Sequence, residues 1–459
     1  MRYVSTRGTA PELGFVDAVL AGLATDGGLY LPASWPALPT RRPGDDYARR
    51  AAQVISLFTG DELPADTIER LCRGAYESFA HPAVVPLVQI DHDHFVQELF
   101  HGPTLAFKDV ALQFVGRLFD EVLRARGERI TIVGATSGDT GSAAIDGVRG
   151  CEHVDIVILY PRGRTSEVQR RQMTTVDAPN VKVVAVEGTF DDCQDLVKAM
   201  FGDAEFRARM RLSAVNSINW ARVLAQVGYY VAATDTLAGP IDVCVPSGNF
   251  GNVFAGWIAR RMGAPIDRLV VATNANDILH RFFAADDMST APVVPSISPS
   301  MDIQVSSNFE RLLFEMNGRD GEATAAQLTA FRSTGRLAIT ADQRHQYLDG
   351  VFDSARLDDA ATLEVIGRTW RTTGMLVDPH TAVGLGAVDS LRAAGRLGAT
   401  AVTLATAHPA KFPDAVERAT GVRPPLPAHL ADLLTRPERE TVLPADLGAV
   451  QRFVATAFT

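Results

Sequence analysis

Between residues 129 and 201 the chain passes three times from a short apolar run to an amphipathic stretch. The runs are 129–134, 154–160 and 181–186, and the stretches are 141–148, 166–174 and 190–201. Strands and helices alternating at those lengths specify a parallel sheet with helices packed on it, a three-layer α/β domain. A second set begins near Asn219. It reads as helix 220–236, strand 241–245, helix 253–262, strand 269–273 and helix 277–283, with a later helix at 382–394 and a late strand at 401–405. Two three-layer α/β domains are therefore expected. Ahead of them, Phe15, Val16, Val19, Leu20 and Leu23 recur at helical spacing, and 47–58 and 65–79 give two more helical patterns. Residues 84–88 and 95–100 look like strands, and 110–126 is an amphipathic helix. Residues 285–307 read as a long loop, 308 to about 370 as helical, and the tail after Pro424 as mixed. The expected division is a helical unit at 1–82, a large α/β domain from 83–108 with 218–459, and a small α/β domain at 109–217.

Composition excludes several classes of partner. The 459 residues carry 44 basic and 54 acidic side chains, a net charge of -10, with no block of lysines or arginines. Phosphate backbones demand a concentrated basic face, so nucleic acid is not expected. No apolar run approaches the roughly 18 residues of a membrane span, and Met1 to Arg7 lacks the apolar core of a signal peptide. Cys72, Cys151, Cys193 and Cys244 lie far apart, without zinc-ligand spacing. Reduced thiols, no metal site and a cytoplasmic protein are the expectation.

Five stretches carry chemistry. Lys108 ends Glu98-Leu-Phe-His-Gly-Pro-Thr-Leu-Ala-Phe-Lys and opens an amphipathic helix. A cation there faces the unfavourable end of the helix dipole. It is either a lysine that snorkels to water or an amine held in a pocket, where desolvation makes it a Schiff-base nucleophile. Gly134-Ala-Thr-Ser-Gly-Asp-Thr-Gly141 follows a strand and opens a helix, which presents backbone amides to an anion. Asp139 makes it awkward as a phosphate cradle; amides and hydroxyls of Thr136, Ser137 and Thr140 suit a substrate carboxylate better. Val245-Pro-Ser-Gly-Asn-Phe-Gly-Asn252 has the same placement and no negative side chain, which suits a phosphate nest. Asn216-Ser-Ile-Asn-Trp-Ala-Arg222 is either a plain helix cap or the surround of a second phosphate. Ala405-Thr-Ala-His-Pro-Ala-Lys-Phe412 closes the late strand, where ligands gather in open α/β sheets. Its His408 and Lys411 invite a catalytic reading, against that of a local hydrogen bond.

Taken together these stretches resemble the threonine synthase family, of the long-chain bacterial and fungal type. The match also takes in Gly27-Gly-Leu-Tyr-Leu-Pro32, and the motifs run in family order from near residue 3 to near residue 420. The resemblance implies a pyridoxal 5'-phosphate (PLP) enzyme of fold type II, the tryptophan-synthase-β-like fold. It makes Lys108 the lysine that holds the cofactor. It makes Gly248, Asn249, Phe250, Gly251 and Asn252 the cradle for the cofactor phosphate, and it places Thr406 at the pyridine nitrogen. Asp139 stands where shorter relatives carry an asparagine near the phenolic oxygen. The implied reaction converts O-phospho-L-homoserine and water to L-threonine and phosphate, with Lys108 removing the α proton. Thr136, Ser137 and Thr140 are expected at the substrate carboxylate. Ser217, Asn219 and Arg222, with Arg162 as a weaker candidate, are expected at its phosphate. A monomer is implied. A dehydratase or a phospholyase acting on phosphohydroxy amino acids on the same fold is the alternative, and a catalytically silent metabolite-binding relative is the non-enzyme reading.

Overall fold

Two sheets carry the fold in the computed structural model, which describes residues 1–214 and 216–458. The larger has six strands in the order Phe352–Arg356, Ile266–Thr273, Ile241–Pro246, Thr400–Ala405, His94–Glu98 and Leu87–Asp91. All neighbours are parallel except the last pair. The smaller sheet is wholly parallel, in the order Thr441–Pro444, Val181–Glu187, Val154–Pro161, Ile130–Ala135 and Leu212–Ser213. The strands at 154–161 and 241–246 are buried at every position. Helices cover both faces of such strands, which is why they appear in the sequence as unbroken apolar runs rather than alternations. The result is the pair of α/β sheets with packed helices that the alternation predicts. Among the described residues no helix is long and apolar enough to cross a membrane.

The N-terminal segment is helical as expected, at Phe15–Ala21, Tyr47–Thr59 and Ala65–Tyr76, with a small ribbon pairing Tyr3–Ser5 to Tyr30–Pro32. It packs on the helix Trp220–Thr236. The Tyr3 hydroxyl donates to Phe58 O at 2.8 Å and accepts from Trp220 Nε1 at 3.1 Å. The first helix stops sooner than its apolar spacing predicts. Gly22 turns the chain at φ 66, and Leu23 is left 47% exposed.

Three other expectations differ from the structure. The stretch from 308 to 370 is interrupted: after helices Phe309–Met316, Gly321–Thr334 and Ala341–Tyr347 comes the edge strand Phe352–Arg356, before the helix Asp359–Thr373. That strand carries Asp353, which Arg268 meets at 3.2 Å and Arg396 also pairs, so no apolar run announced it. Helix Ala204–Met210 and strand Leu212–Ser213 were not anticipated either. Finally, the tail does not stay with the larger sheet. Strand Thr441–Pro444 pairs with Val181–Glu187, and helix Leu447–Thr456 packs on helix Phe190–Gly202. The end of the 218–459 segment thus sits with the small sheet.

The helices Lys108–Arg126 and Asp139–Val148 cross at glycine. A Cβ on Gly147 would overlap Leu112 O, and one on Gly116 would overlap Gly147 O. Gly147→Ala is expected to destabilise the protein by about 1–3 kcal/mol, as overpacking does. Gly202→Ala, with nothing within 4 Å of the added carbon, should change little. Denaturant midpoints compare the two.

Candidate active site

The Lys108 stretch is held in place by backbone bonds to the end of a neighbouring strand. Leu99 N donates to Ala405 O at 3.0 Å, Phe107 N to Thr406 O at 2.9 Å, and His408 N to Leu105 O at 3.0 Å. Leu105 takes φ 64 to make the turn that leads into the helix. Lys108 is thereby fixed at the carboxyl ends of two adjacent parallel strands, beside Thr406, which is buried. The loop 247–252 leaves the next strand of the sheet on the same side.

At this edge the two sheets meet through charge. Asp139 opens the helix after strand Ile130–Ala135, and its side chain is 5% exposed. Lys108 Nζ lies 3.2 Å from its Oδ2, and Lys411 Nζ lies 3.0 Å from its Oδ1. Gln169 Nε2 donates to Oδ1 at 2.8 Å and Ser300 Oγ to Oδ2 at 3.3 Å. Burial works to raise the Asp139 pKa, yet Lys108 and Lys411 outweigh it and hold the carboxyl well below its usual range. Burial pushes the Lys108 amine below the ordinary lysine value; Asp139 pulls it back, while Lys411 and Arg222 push the same way as burial. Lys108 is thus a buried amine beside a fixed carboxylate, not a lysine reaching for solvent.

The second glycine loop is built for an anion. Phe250 sits at φ 63 and precedes the helix Gly251–Arg261, whose N-cap has no side-chain acceptor for its first amides. The Asn252 Oδ1 accepts from Tyr229 at 2.5 Å and from Tyr230 at 2.8 Å. Its Nδ2 is buried with no acceptor among the described residues. Free amides at a helix N-terminus, an orphaned amide donor and no carboxylate in the loop fit the phosphate of PLP. Gly248 is close to the loop that bears Ser300: a Cβ there would lie 3.0 Å from Ile303 Cδ1 and 3.2 Å from Ser300 O. Through Ser300 this loop touches the Asp139 network. Asn249 O accepts from Asn308 N at 3.2 Å.

The other predicted residues divide. The Thr136 hydroxyl braces its own loop by accepting from Gly138 N at 3.0 Å and Gly141 N at 2.9 Å. Ser137 is exposed and Thr140 half-buried at the same turn. Arg222 is 3% exposed in the first turn of its helix, and burial takes its pKa down to about 10. Ser217 is half-buried, and its carbonyl accepts from Asn308 Nδ2 at 3.0 Å. Asn219 is wholly buried, capping the helix through Ala221 N and donating to Val19 O, both at 2.9 Å. Arg162 lies outside the cluster, half exposed and paired with Glu187 at 3.1 Å. His408 makes the local bond, its Nδ1 accepting from Ala410 N at 3.1 Å; burial, and next to it His101, lower its pKa to about 4.

Sequence reasoning missed a supporting layer. Ser300 N donates to His380 Nε2 at 3.2 Å, and His380 Nδ1 is 2.7 Å from the fully buried Asp378. Gln169, Gln172 and Arg311 were missed as well. Each stands within a helix as an ordinary polar residue, and only the packed structure shows which of them is buried.

Three family models match successive parts of the chain: "Threonine synthase N terminus" over residues 2–76, "Pyridoxal-phosphate dependent enzyme" over 83–341, and "Threonine synthase, C-terminal" over 381–454. The threonine synthase of Pseudomonas aeruginosa is 52% identical over 99% of this chain and 98% of its own. A crystal structure of PLP-bound threonine synthase from Brucella melitensis superposes with a TM-score of 0.96 at 50% identity, covering 100% of this chain and 99% of the other. The yeast threonine synthase structure gives a TM-score of 0.95 at 39% identity, covering 99% and 98%. Gly248→Val is expected to weaken PLP binding about tenfold or more, because overpacking costs about 1–3 kcal/mol. Visible absorbance titration with PLP checks this, and an unchanged circular dichroism spectrum shows that the fold is intact.

Proposed function

Because the chain belongs to the threonine synthase family and is a PLP-dependent enzyme, we propose that it acts on O-phospho-L-homoserine, with Lys108 as the cofactor lysine and the base. The observation that carries this reading is a buried Lys108 amine paired with Asp139, on the strand-end edge of the sheet from which an uncapped helix N-terminus also opens. PLP, when bound, supplies an electron sink for the carbanions this substrate must form.

The chain's own residues do the rest. Gly248, Asn249, Phe250, Gly251 and Asn252 would hold the cofactor phosphate, Thr406 would be the neutral partner of the pyridine nitrogen, and Asp139 would be the charged group toward the phenolic oxygen. The Lys108 amine takes the proton from the α carbon and, once that proton is passed on, it or a nearby base takes one from the β carbon, since electrons must be pushed from the β carbon to expel phosphate from the γ carbon. A proton is delivered to the γ carbon, water adds its hydroxyl at the β carbon, and the α proton is returned. The sum is phosphohomoserine and water giving threonine and phosphate. The turn bearing Ser137 and Thr140, braced by Thr136, takes the substrate carboxylate. Arg222, with Ser217 beside it and Asn219 fixing the helix start, takes the substrate phosphate. A buried arginine whose charge is felt at Lys108 suits a dianion brought into a low-dielectric site. Arg162, half exposed and paired with Glu187, is left out of this reading. The same reading makes the protein a cytoplasmic monomer, which light scattering on the eluted protein checks.

Lys108→Ala should abolish the yellow colour of the purified protein; retained colour and activity sink the lysine assignment. Arg222→Ala should raise KM for phosphohomoserine about thirtyfold or more with cofactor absorbance intact, since losing one partner of a buried charge pair costs about 2–5 kcal/mol. An unchanged KM removes Arg222 from the phosphate site. Phosphate should be released one for one with threonine, and 2-oxobutanoate as the product would overturn the synthase reading.

A further inference from the structure

Two lysines share one carboxylate at the site, and only one of them is needed for the reaction as proposed. Lys411 is the more deeply enclosed, with a side chain at 0% exposure. Its amine donates to Thr104 O at 2.7 Å and to Gln172 Oε1 at 3.0 Å, and it is ion-paired to Asp139 Oδ1 at 3.0 Å. Three acceptors meet the three N–H groups of an ammonium, and none of them could donate to a neutral amine's lone pair. The Gln172 amide is oriented by the same carbonyl. Its Nε2 donates to Thr104 O at 3.0 Å, which leaves Oε1 for Lys411. Among the described residues Lys108 has one hydrogen-bond acceptor, Asp139 Oδ2 at 3.2 Å, with the Phe107 ring 5.3 Å away.

The charges that face Lys108 are Asp139 from the helix after strand Ile130–Ala135, Lys411 from the turn after strand Thr400–Ala405, and Arg222 from the helix Trp220–Thr236. Asp109, on the Lys108 helix, is turned away; it accepts from Thr104 N at 2.8 Å and Thr104 Oγ1 at 2.5 Å. Burial lifts its pKa to about 7, and Lys411 is among the charges that oppose this. Two ammonium groups on one carboxylate leave a positive excess in a buried site. A site of that kind sheds a proton from the amine with the fewest acceptors.

We propose that Lys411 is a positioning residue that neutralises Asp139 as a fixed ammonium, so that Lys108 is left as the neutral amine. The proposal rests on Lys108 being the working lysine, and it deepens that reading. Without Lys411 the whole charge of Asp139 would fall on Lys108 and keep it protonated. Asp139 would then oppose the chemistry it is placed to assist.

Full-length protein freed of cofactor is pulse-labelled with acetic anhydride from neutral to alkaline pH, and acetylation of Lys108 is read by peptide mass spectrometry. The reagent takes only the neutral amine, so the midpoint reports its protonation. Lys411→Met is expected to raise the midpoint by about 1–3 pH units. Lys411→Arg, which keeps the charge, should leave it near that of the unaltered protein. The acid limb of the kcat/KM profile of the holoenzyme should move in the same direction in Lys411→Met. A purely structural role would shift both variants alike. Lys411→Gln carries the same expectation should Lys411→Met not fold. An unmoved midpoint in Met and Gln variants overturns the proposal and leaves the Lys108 assignment standing; colour retained in Lys108→Ala does the reverse.

Discussion

The whole active edge depends on one buried carboxylate. Asp139 belongs to the small sheet's first helix, while Lys108 and Lys411 come from segments that flank strands of the large sheet. A carboxylate stripped of water costs several kcal/mol, so Asp139 is tolerable there only with its cations and the donors Gln169 and Ser300 in place. The junction of the two sheets is therefore electrostatic at Lys108, Asp139 and Lys411. The glycine crossing of helices Lys108–Arg126 and Asp139–Val148 brings the backbones close enough for that pair to form.

Parallel strands make the remaining geometry follow. Loops at the carboxyl ends of neighbouring strands open on the same side, so Thr406, the loop 247–252 and the segment leading to Lys108 converge without any contact between them in sequence. The backbone bonds from Leu99, Phe107 and His408 then remove the freedom that the connection from strand to helix would otherwise have. Lys108 begins a helix because those bonds stop the chain there, and the positive helix end adds to the burial that disfavours its ammonium form.

The sequence shows most of this frame and little of its support. Central strands such as Val154–Pro161 are legible because burial on both faces demands unbroken apolar runs. The edge strand Phe352–Arg356 is not, because an edge tolerates Asp353 when arginines neutralise it. The tail strand Thr441–Pro444 is four residues of alternating exposure, and nothing local says which sheet it joins. At the site, Lys108, Asp139, Phe250 and Thr406 lie in turns whose glycines and hydroxyls mark them in sequence. Gln172, Ser300 and His380 do not, because their roles come from long-range partners: Lys411, Asp139 and Ser300. Asn219 stands in a motif that also marks a helix start, and its side chain both caps that helix and donates to Val19 O.

The N-terminal segment acquires a role from the same logic. Arg311 is fully buried and gives hydrogen bonds to Tyr30 O at 3.2 Å and Ile218 O at 2.6 Å, and another to Asn308 Oδ1. Asn308 in turn donates to Asn249 O and Ser217 O. Thr6 and Arg7 pin the neighbouring Glu310 at 2.6 and 3.0 Å. One arginine thus ties the ribbon at the chain's beginning to the anion loop and to the start of the helix that carries Arg222. A segment without a reactive cluster of its own still sets the positions of the loop 247–252 and of the helix start that carries Arg222, because a buried guanidinium must be met by acceptors and these are the acceptors it has.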